Sequence, residues 1–121
     1  MKNRIFIGEF IGSAFLVMII VGSGIMAQNL TRDFAVMLLA NTLATGAGLF
    51  VLINSIANIS GAHFNPVVTM TMYFTKRIKK DLIFTYLSAQ ILGCLLGVML
   101  ANFMFELPLI ELSRKIRPGI N

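Results

Sequence analysis

The stretch that decides the fold is Ser60-Gly61-Ala62-His63-Phe64-Asn65-Pro66-Val67-Val68-Thr69, a polar break in an otherwise apolar chain. Residues 34–75, which contain it, include no Asp, Glu, Lys or Arg. A non-helical backbone cannot face lipid, because its N–H and C=O groups would find no hydrogen-bond partners there. The stretch therefore predicts a re-entrant segment, over about residues 57–75, that dips into the interior of a membrane protein.

Three long apolar segments surround this break, at about residues 5–27, 34–56 and 82–105. Each is long enough for a helix to cross the hydrocarbon core, which takes roughly 20 residues. The 121-residue chain is 57% hydrophobic and 12% charged, more apolar than a water-soluble domain of this size can hide. We predict an all-α membrane protein, one unit over residues 1–121, with three transmembrane helices and one re-entrant half-helix.

The half-helix is indicated by the dipeptide Asn65-Pro66. Proline is favoured in the first turn of a helix, so a short helix over residues 67–74 is expected. Asn65 has two interpretations. Its carboxamide could donate hydrogen bonds into a pore. The positive end of the half-helix would then repel cations from that pore. It could also be an ordinary N-cap.

The residues before Asn65 are predicted to be extended, with free backbone carbonyls. Gly61, Ala62 and His63 could then offer these carbonyls to a passing solute. The His63 side chain is expected to be a hydrogen-bonded structural group, in preference to a proton relay.

Two polar side chains inside the apolar segments require partners. Glu9 lies one turn inside the first segment, where it either reaches the near interface or accepts backbone N–H groups of the re-entrant segment. Gln90, in the third segment, is predicted to support the loop backbone in the same way.

Glycines predict close helix contacts. Gly8 and Gly12 are four residues apart in the first segment, and Gly93 and Gly97 have the same spacing in the third. Small residues at this spacing let two helix backbones approach closely. Both segments are therefore expected to make close helix contacts, as any polytopic protein requires.

The basic residues predict the orientation in the membrane. They stand beside the apolar runs, which favours the lipid bilayer over nucleic acid as a partner. Six of them, Lys2, Arg4, Lys76, Arg77, Lys79 and Lys80, fall on one side, and four, Arg32, Arg114, Lys115 and Arg117, on the other. We expect a multi-pass protein of the inner (plasma) membrane with a cytoplasmic N-terminus, no cleaved signal peptide and no fourth crossing after residue 106.

Enzymatic chemistry finds little support. The chain shows no Ser, His and acid set, no pair of metal ligands at helical spacing and no phosphate-binding glycine loop. Cys94 has no partner for an intramolecular disulfide. No enzyme activity, cofactor or metal is expected.

These residues together resemble the first half of the major intrinsic protein family, the aquaporins and aquaglyceroporins, over nearly the whole chain. The stretch from Ser60 to Thr69 is similar to the first of the family's two Asn-Pro-Ala motifs, and Glu9, Gln90 and Gly93 also match. The resemblance implies one of two inverted repeats whose half-helix tips meet in mid-membrane, usually in tetramers. It further implies that Asn65 and Pro66 form a pore tip, that residues 61–63 offer carbonyls, and that Glu9 and Gln90 support the loop.

The chain departs from the family pattern in three ways. Val67 replaces the motif's alanine, and Thr45 lies near the place of a filter aromatic in water-selective members, which implies a wider filter for glycerol-like or metalloid-hydroxide solutes. The second repeat is not in these 121 residues, so one copy cannot enclose the family's pore. Three possibilities follow: a separately encoded half completes the pore, two copies insert in opposite orientations, or the chain is a truncated remnant.

The predicted function is that of a half-channel subunit for passive transport of water or small uncharged solutes such as glycerol. It would form an oligomer with a second half-repeat or with copies of itself. The alternative is a truncated or non-transporting membrane protein that associates with a full-length channel.

Overall fold

Four α-helices make up the computed structural model, which describes residues 1–110. They are α1 (Lys2–Leu30), α2 (Phe34–Ser60), α3 (Pro66–Phe74) and α4 (Lys80–Met104). The three long helices α1, α2 and α4 have the length and apolar composition needed to cross a membrane. The prediction of an all-α protein with three spans and one half-helix is confirmed over this part of the chain.

The helix boundaries differ from the predicted segments. The first and second helices continue past the expected ends, because a spanning helix keeps its hydrogen bonds beyond the hydrocarbon core. The second reaches Ser60, so residues 57–60 are helical, and the break begins at Gly61. Gly61 has a φ of 93°, which ends the helix while its N–H still donates to the Ala57 carbonyl, 2.9 Å away. The half-helix starts at Pro66, one residue before the expected start, and α4 covers Lys80–Met104 where residues 82–105 were expected.

Helix α1 is the centre of the packing, because it contacts both α2 and α4, and α3 packs on α4. A Cβ atom on Gly93 would overlap the carbonyl oxygen of Phe10, and one on Gly97 would overlap that of Ala14. On the other side of α1, a Cβ on Gly8 would lie 2.9 Å from the Ser60 Cβ. The glycines do mark close helix contacts, and at Gly93 and Gly97 the backbone of α4 lies against the backbone of α1.

Helix α2 has little protein around it. Asp33 starts the helix by accepting hydrogen bonds from the N–H groups of Ala35 and Val36, at 2.8 and 3.3 Å. Ser60, at the other end, is the one buried residue of this helix. Large apolar side chains such as Phe50 are exposed along it, so this face is available to lipid or to another protein.

Residues 111–121 lie outside the described part of the chain. They include Arg114, Lys115 and Arg117, on which half of the orientation argument rests. The expected absence of a fourth crossing concerns the same residues.

Candidate functional site

The loop of residues 61–65 connects α2 to the half-helix by a tight reversal. Gly61, Ala62 and Phe64 have φ values of 93°, 52° and 50°, and Asn65 is extended at −150°. The prediction of an extended stretch at residues 61–63 is therefore wrong for Gly61 and Ala62. The left-handed conformation is unfavourable for residues with a Cβ, so Ala62 and Phe64 need support from their surroundings.

Glu9 supplies that support from α1. Its Oε1 accepts hydrogen bonds from the Ser60 hydroxyl at 2.7 Å and the His63 N–H at 3.0 Å. Its Oε2 accepts from the Phe64 N–H at 2.7 Å and the Gln90 amide at 2.8 Å. The side chain is 0% exposed, so it does not reach the interface. One buried carboxylate thus holds two loop amides and links three helices.

Gln90 supports the loop indirectly, through hydrogen bonds to Glu9 and Thr69. Its Nε2 donates to Glu9 and, at 3.0 Å, to the hydroxyl of Thr69 on α3. Among residues 1–110 its hydrogen bonds are to these side chains and not to loop backbone, so the predicted direct bond to the loop backbone is not present. Thr69 in turn donates to the Asn65 carbonyl at 3.2 Å. His63 Nδ1 lies 3.1 Å from the Thr69 oxygen and shares a hydrogen bond with it.

Tyr86 of α4 holds the loop from the other side. Its hydroxyl donates to the Ser60 carbonyl, and its ring stacks on His63 with the ring centroids 4.3 Å apart. Sequence reasoning missed both Tyr86 and Thr69. A usable signal existed for Tyr86, because it lies one turn before Gln90 and hence on the same face of α4.

Phe64 fixes the loop to α1 by shape. Its ring is buried and occupies the space beside Gly12, where a Cβ atom would overlap ring carbons. Gly12 is therefore required to be small because of the loop.

Asn65 lies exposed at the tip of α3. Its Oδ1 accepts the Val67 N–H at 2.8 Å, the geometry of an N-cap. Among residues 1–110 no partner uses its Nδ2, which keeps two N–H donors. The N-cap role and a donor role towards a solute are thus compatible, since they use different atoms.

Thr45 is not part of this cluster. It lies 15 residues before Ser60 on α2, about 22 Å along the helix axis at 1.5 Å per residue. Its Oγ1 is buried and has no hydrogen-bond partner among residues 1–110, as is also true of Ser13 Oγ and Gln90 Oε1.

Open space flanks the loop on two sides. A cavity of about 510 Å³ is lined by Arg4, Asn58, Gly61 and Tyr86, among others. A groove of about 250 Å³ runs beside Pro66 and contains Gln90 and Cys94. Over residues 1–110, no group of three or more His, Cys, Asp or Glu side chains is placed to hold a metal ion.

A half-helix whose Asn-Pro tip is held among spanning helices by a buried carboxylate defines one repeat of an aquaporin-type membrane fold. The model of the major intrinsic protein family matches residues 1–117. This chain belongs to the major intrinsic protein family.

Three relatives show how much of such a protein is present. The aquaglyceroporin AqpS of Rhizobium meliloti strain 1021 is 44% identical over 113 residues, which cover 93% of this chain and 48% of AqpS. Aquaporin NIP3-1 of Arabidopsis thaliana is 35% identical over 84% of this chain and 31% of its own. Aquaporin A of Dictyostelium discoideum is 35% identical over 76% and 33%. The chain spans half or less of the length of these relatives.

Proposed function

We propose that this chain is one half of a membrane channel for water or small uncharged solutes such as glycerol. The observation that carries the proposal is Asn65. The network around Glu9 and Thr69 fixes the loop, while the Asn65 Nδ2 remains exposed and without a partner among residues 1–110. A fixed donor at the positive end of a half-helix suits a neutral solute and disfavours a cation.

The other candidate residues have complementary roles in this proposal. Gly61, Ala62 and His63 would offer carbonyl oxygens to the solute, Pro66 would shape the tip, and Thr45 would line a selectivity filter. Glu9 and Gln90 would act only by holding the loop. Acceptors and donors then follow one another along the path, which lets a solute exchange its hydrogen bonds with water stepwise.

A complete pore requires a second half-repeat. The chain spans about half of the AqpS length, and within residues 1–110 the groove beside Pro66 and the face of α2 turned away from α1 have no protein cover. We propose that a separately encoded half or another copy of this chain covers them. Lys2, Arg4 and the basic residues of 76–80 favour the inner membrane with a cytoplasmic N-terminus. No enzyme activity is proposed.

The test is stopped-flow swelling of proteoliposomes under water and glycerol gradients. The chain is reconstituted alone and together with the second half of AqpS, and Asn65→Asp is compared with the native chain. Aspartate is as good an N-cap as asparagine, so α3 is retained while a negative charge and no N–H donors stand at the tip. We expect flux through the native chain in at least one arm, and loss of most of it in Asn65→Asp.

A matched control is Gln28→Glu, the same chemical change at an exposed site near the far end of α1. It should leave the flux unchanged. Equal flux in Asn65→Asp and the native chain contradicts the role of Asn65. No flux in either arm from correctly inserted protein favours the alternative of a non-transporting partner of a full-length channel.

A further inference from the structure

One end of the helix bundle carries a concentrated positive charge. We define the cationic face as Lys2, Arg4, Lys76, Arg77, Lys79 and Lys80, all of which are exposed. They come from the first turn of α1, from the connection between α3 and α4, and from Lys80, the first residue of α4. The carboxylate of Asp81 lies among them, 3.7 Å from the Lys2 Nζ. The remaining acidic residues of the described chain are elsewhere: Glu9 is buried, and Asp33 and Glu106 follow the far ends of α1 and α4.

The two segments of the cationic face are held in register by apolar packing and backbone bonds. Ile78, in the middle of the basic run, packs on the cluster of Ile5, Leu82 and Tyr86. The N–H groups of Arg77 and Ile78 both donate to the Met72 carbonyl, at 2.8 and 3.3 Å. The connection is therefore folded back on the helix ends, and its cations point away from the apolar cluster into the surroundings.

The single carboxylate does little to neutralise this charge. The side chains of Lys2 and Asp81 are 55% and 58% exposed, and such a pair is weakened by solvent and salt. Even with Asp81 fully paired, five positive charges remain on the face without an acidic partner among residues 1–110. A ligand with several negative groups would compete there with a single carboxylate, that of Asp81.

We propose that the cationic face binds the phosphate groups of anionic phospholipids in the leaflet that it adjoins. The position of the cationic face favours a lipid as its partner. Because α1 and α4 are spanning helices, their ends lie at the level of the lipid headgroups. Lysine and arginine clusters at that level attract acidic lipids, and each cation adds to the attraction. The adjoining apolar side chains of α4, such as the exposed Phe84, contact the acyl chain of the same lipid.

The experiment uses the full chain purified in a neutral detergent. Bound lipid is counted by native mass spectrometry after addition of phosphatidylglycerol or phosphatidylcholine, at low and high salt. We expect preferential binding of phosphatidylglycerol that decreases with salt. Replacing Lys76, Arg77, Lys79 and Lys80 together by glutamine should weaken it more than about tenfold.

Three further variants separate charge from fold. Asp81→Asn removes the one carboxylate of the face and should strengthen binding of the anionic lipid. Arg77→Lys keeps the charge and should retain binding, and Arg32→Gln, at the other end of α1, should have no effect. The loop charges also influence membrane insertion. If the variant with all four glutamine substitutions does not fold correctly, the Asp81→Asn result tests lipid binding by the cationic face.

Several results would overturn the proposal. Equal binding of the two lipids, an unchanged preference in the folded four-fold variant, or weaker binding in Asp81→Asn would each do so. Displacement of the lipid by inorganic phosphate at equal concentration would assign the face to free anions and not to a membrane lipid. None of these readouts depends on solute flux, so the proposal stands or falls apart from the channel function.

Discussion

At the scale of single residues, the carboxylate of Glu9 determines the site. It accepts four hydrogen bonds, two on each oxygen, from groups contributed by α1's three neighbours: the end of α2, the loop and α4. An amide at the end of a side chain offers two lone pairs on one oxygen, whereas a carboxylate offers acceptors on both. The chemistry of the loop's two N–H groups therefore requires an acid at this position.

The first prediction concerns Glu9→Gln. Its NH₂ group would face two donors that now bond to a carboxylate oxygen, and each buried donor left unpaired costs about 1–3 kcal/mol. We expect a lower midpoint of thermal unfolding in detergent and faster proteolysis within residues 61–65. Glu106→Gln, at an exposed site after α4, should leave both unchanged. An unfolding midpoint equal to that of the native chain would show that Glu9 does not hold the loop.

The second prediction concerns Thr45. Thr45 is proposed to line the selectivity filter, and its buried Oγ1 has no hydrogen-bond partner among residues 1–110. Thr45→Phe should lower glycerol flux more than water flux, because the larger ring narrows the path for the larger solute. Thr42→Phe is the matched control, one turn away at an exposed site where the hydroxyl bonds to the Leu38 carbonyl. If both variants change the two fluxes in the same ratio, Thr45 does not line the filter.

At this scale the sequence indicated which polar residues needed partners, but not the partners. The sequence allows two positions for the Glu9 carboxylate, at the near interface or on the loop N–H groups. It predicts that Gln90 bonds to loop backbone, whereas Gln90 bonds to side chains. Tyr86 and Thr69 were missed, since an aromatic in a span and a threonine in a half-helix are both ordinary there. Their roles follow from contacts between residues far apart in sequence, which no local pattern encodes.

At the scale of elements, the loop and α1 depend on each other's shape. The left-handed Phe64 turns its ring to Gly12, so a small residue on a straight helix makes room for a loop that starts 49 residues later. This explains a glycine in the interior of a spanning helix, where it would otherwise weaken the helix.

The third prediction is that Gly12→Ala displaces the loop. Its Cβ would overlap the Phe64 ring, and overpacking of this kind typically costs about 1–3 kcal/mol. Gly46→Ala is the control, because a Cβ at Gly46 meets nothing within 4 Å and alanine favours the helix. We expect a lower unfolding midpoint for Gly12→Ala and an unchanged or higher one for Gly46→Ala. Equal midpoints would contradict the shape argument.

The elements themselves were largely predictable. The long apolar segments predict the three spans, and the Asn65-Pro66 dipeptide predicts the half-helix. Both signals are local, because one is the length of an apolar segment and the other is the missing N–H of a proline. The break was placed too early, at residue 57, because polar side chains do not end a helix whose backbone bonds are satisfied. The left-handed turns after Gly61 were not foreseen, because Ala62 and Phe64 do not favour them on their own.

At the scale of the whole molecule, the protein has one well-packed side and one open side. The packed side joins α1 to α4, while α2 and the groove beside Pro66 lack protein cover within the described residues. A partner that completes the fold would cover both. Cys94, the one cysteine of the chain, lies in this groove. The reactivity of its thiol therefore shows whether a partner covers the groove.

The fourth prediction uses this thiol. Labelling of Cys94 by a small maleimide should slow several-fold when the chain assembles with its partner half or with copies of itself. The control is Leu92→Cys in a Cys94→Ala background, an exposed site on α4 that does not line the groove. Its labelling should not change on assembly. If Cys94 labels equally in the dissociated and assembled states, the partner does not cover the groove.

The Glu9 network also sets an order of events during synthesis. The hydrogen bond between Glu9 and Gln90 joins residues 81 positions apart, and those to His63 and Phe64 join residues 54 and 55 apart. The ribosome makes α1, α2 and the loop well before it makes Gln90, so the loop's final support is absent while they enter the bilayer. Tyr86 and Gln90 arrive together on α4, and docking of α4 onto α1, through Gly93 and Gly97, is the step that locks the loop. Insertion of α4 is therefore the point at which the nascent chain acquires its site.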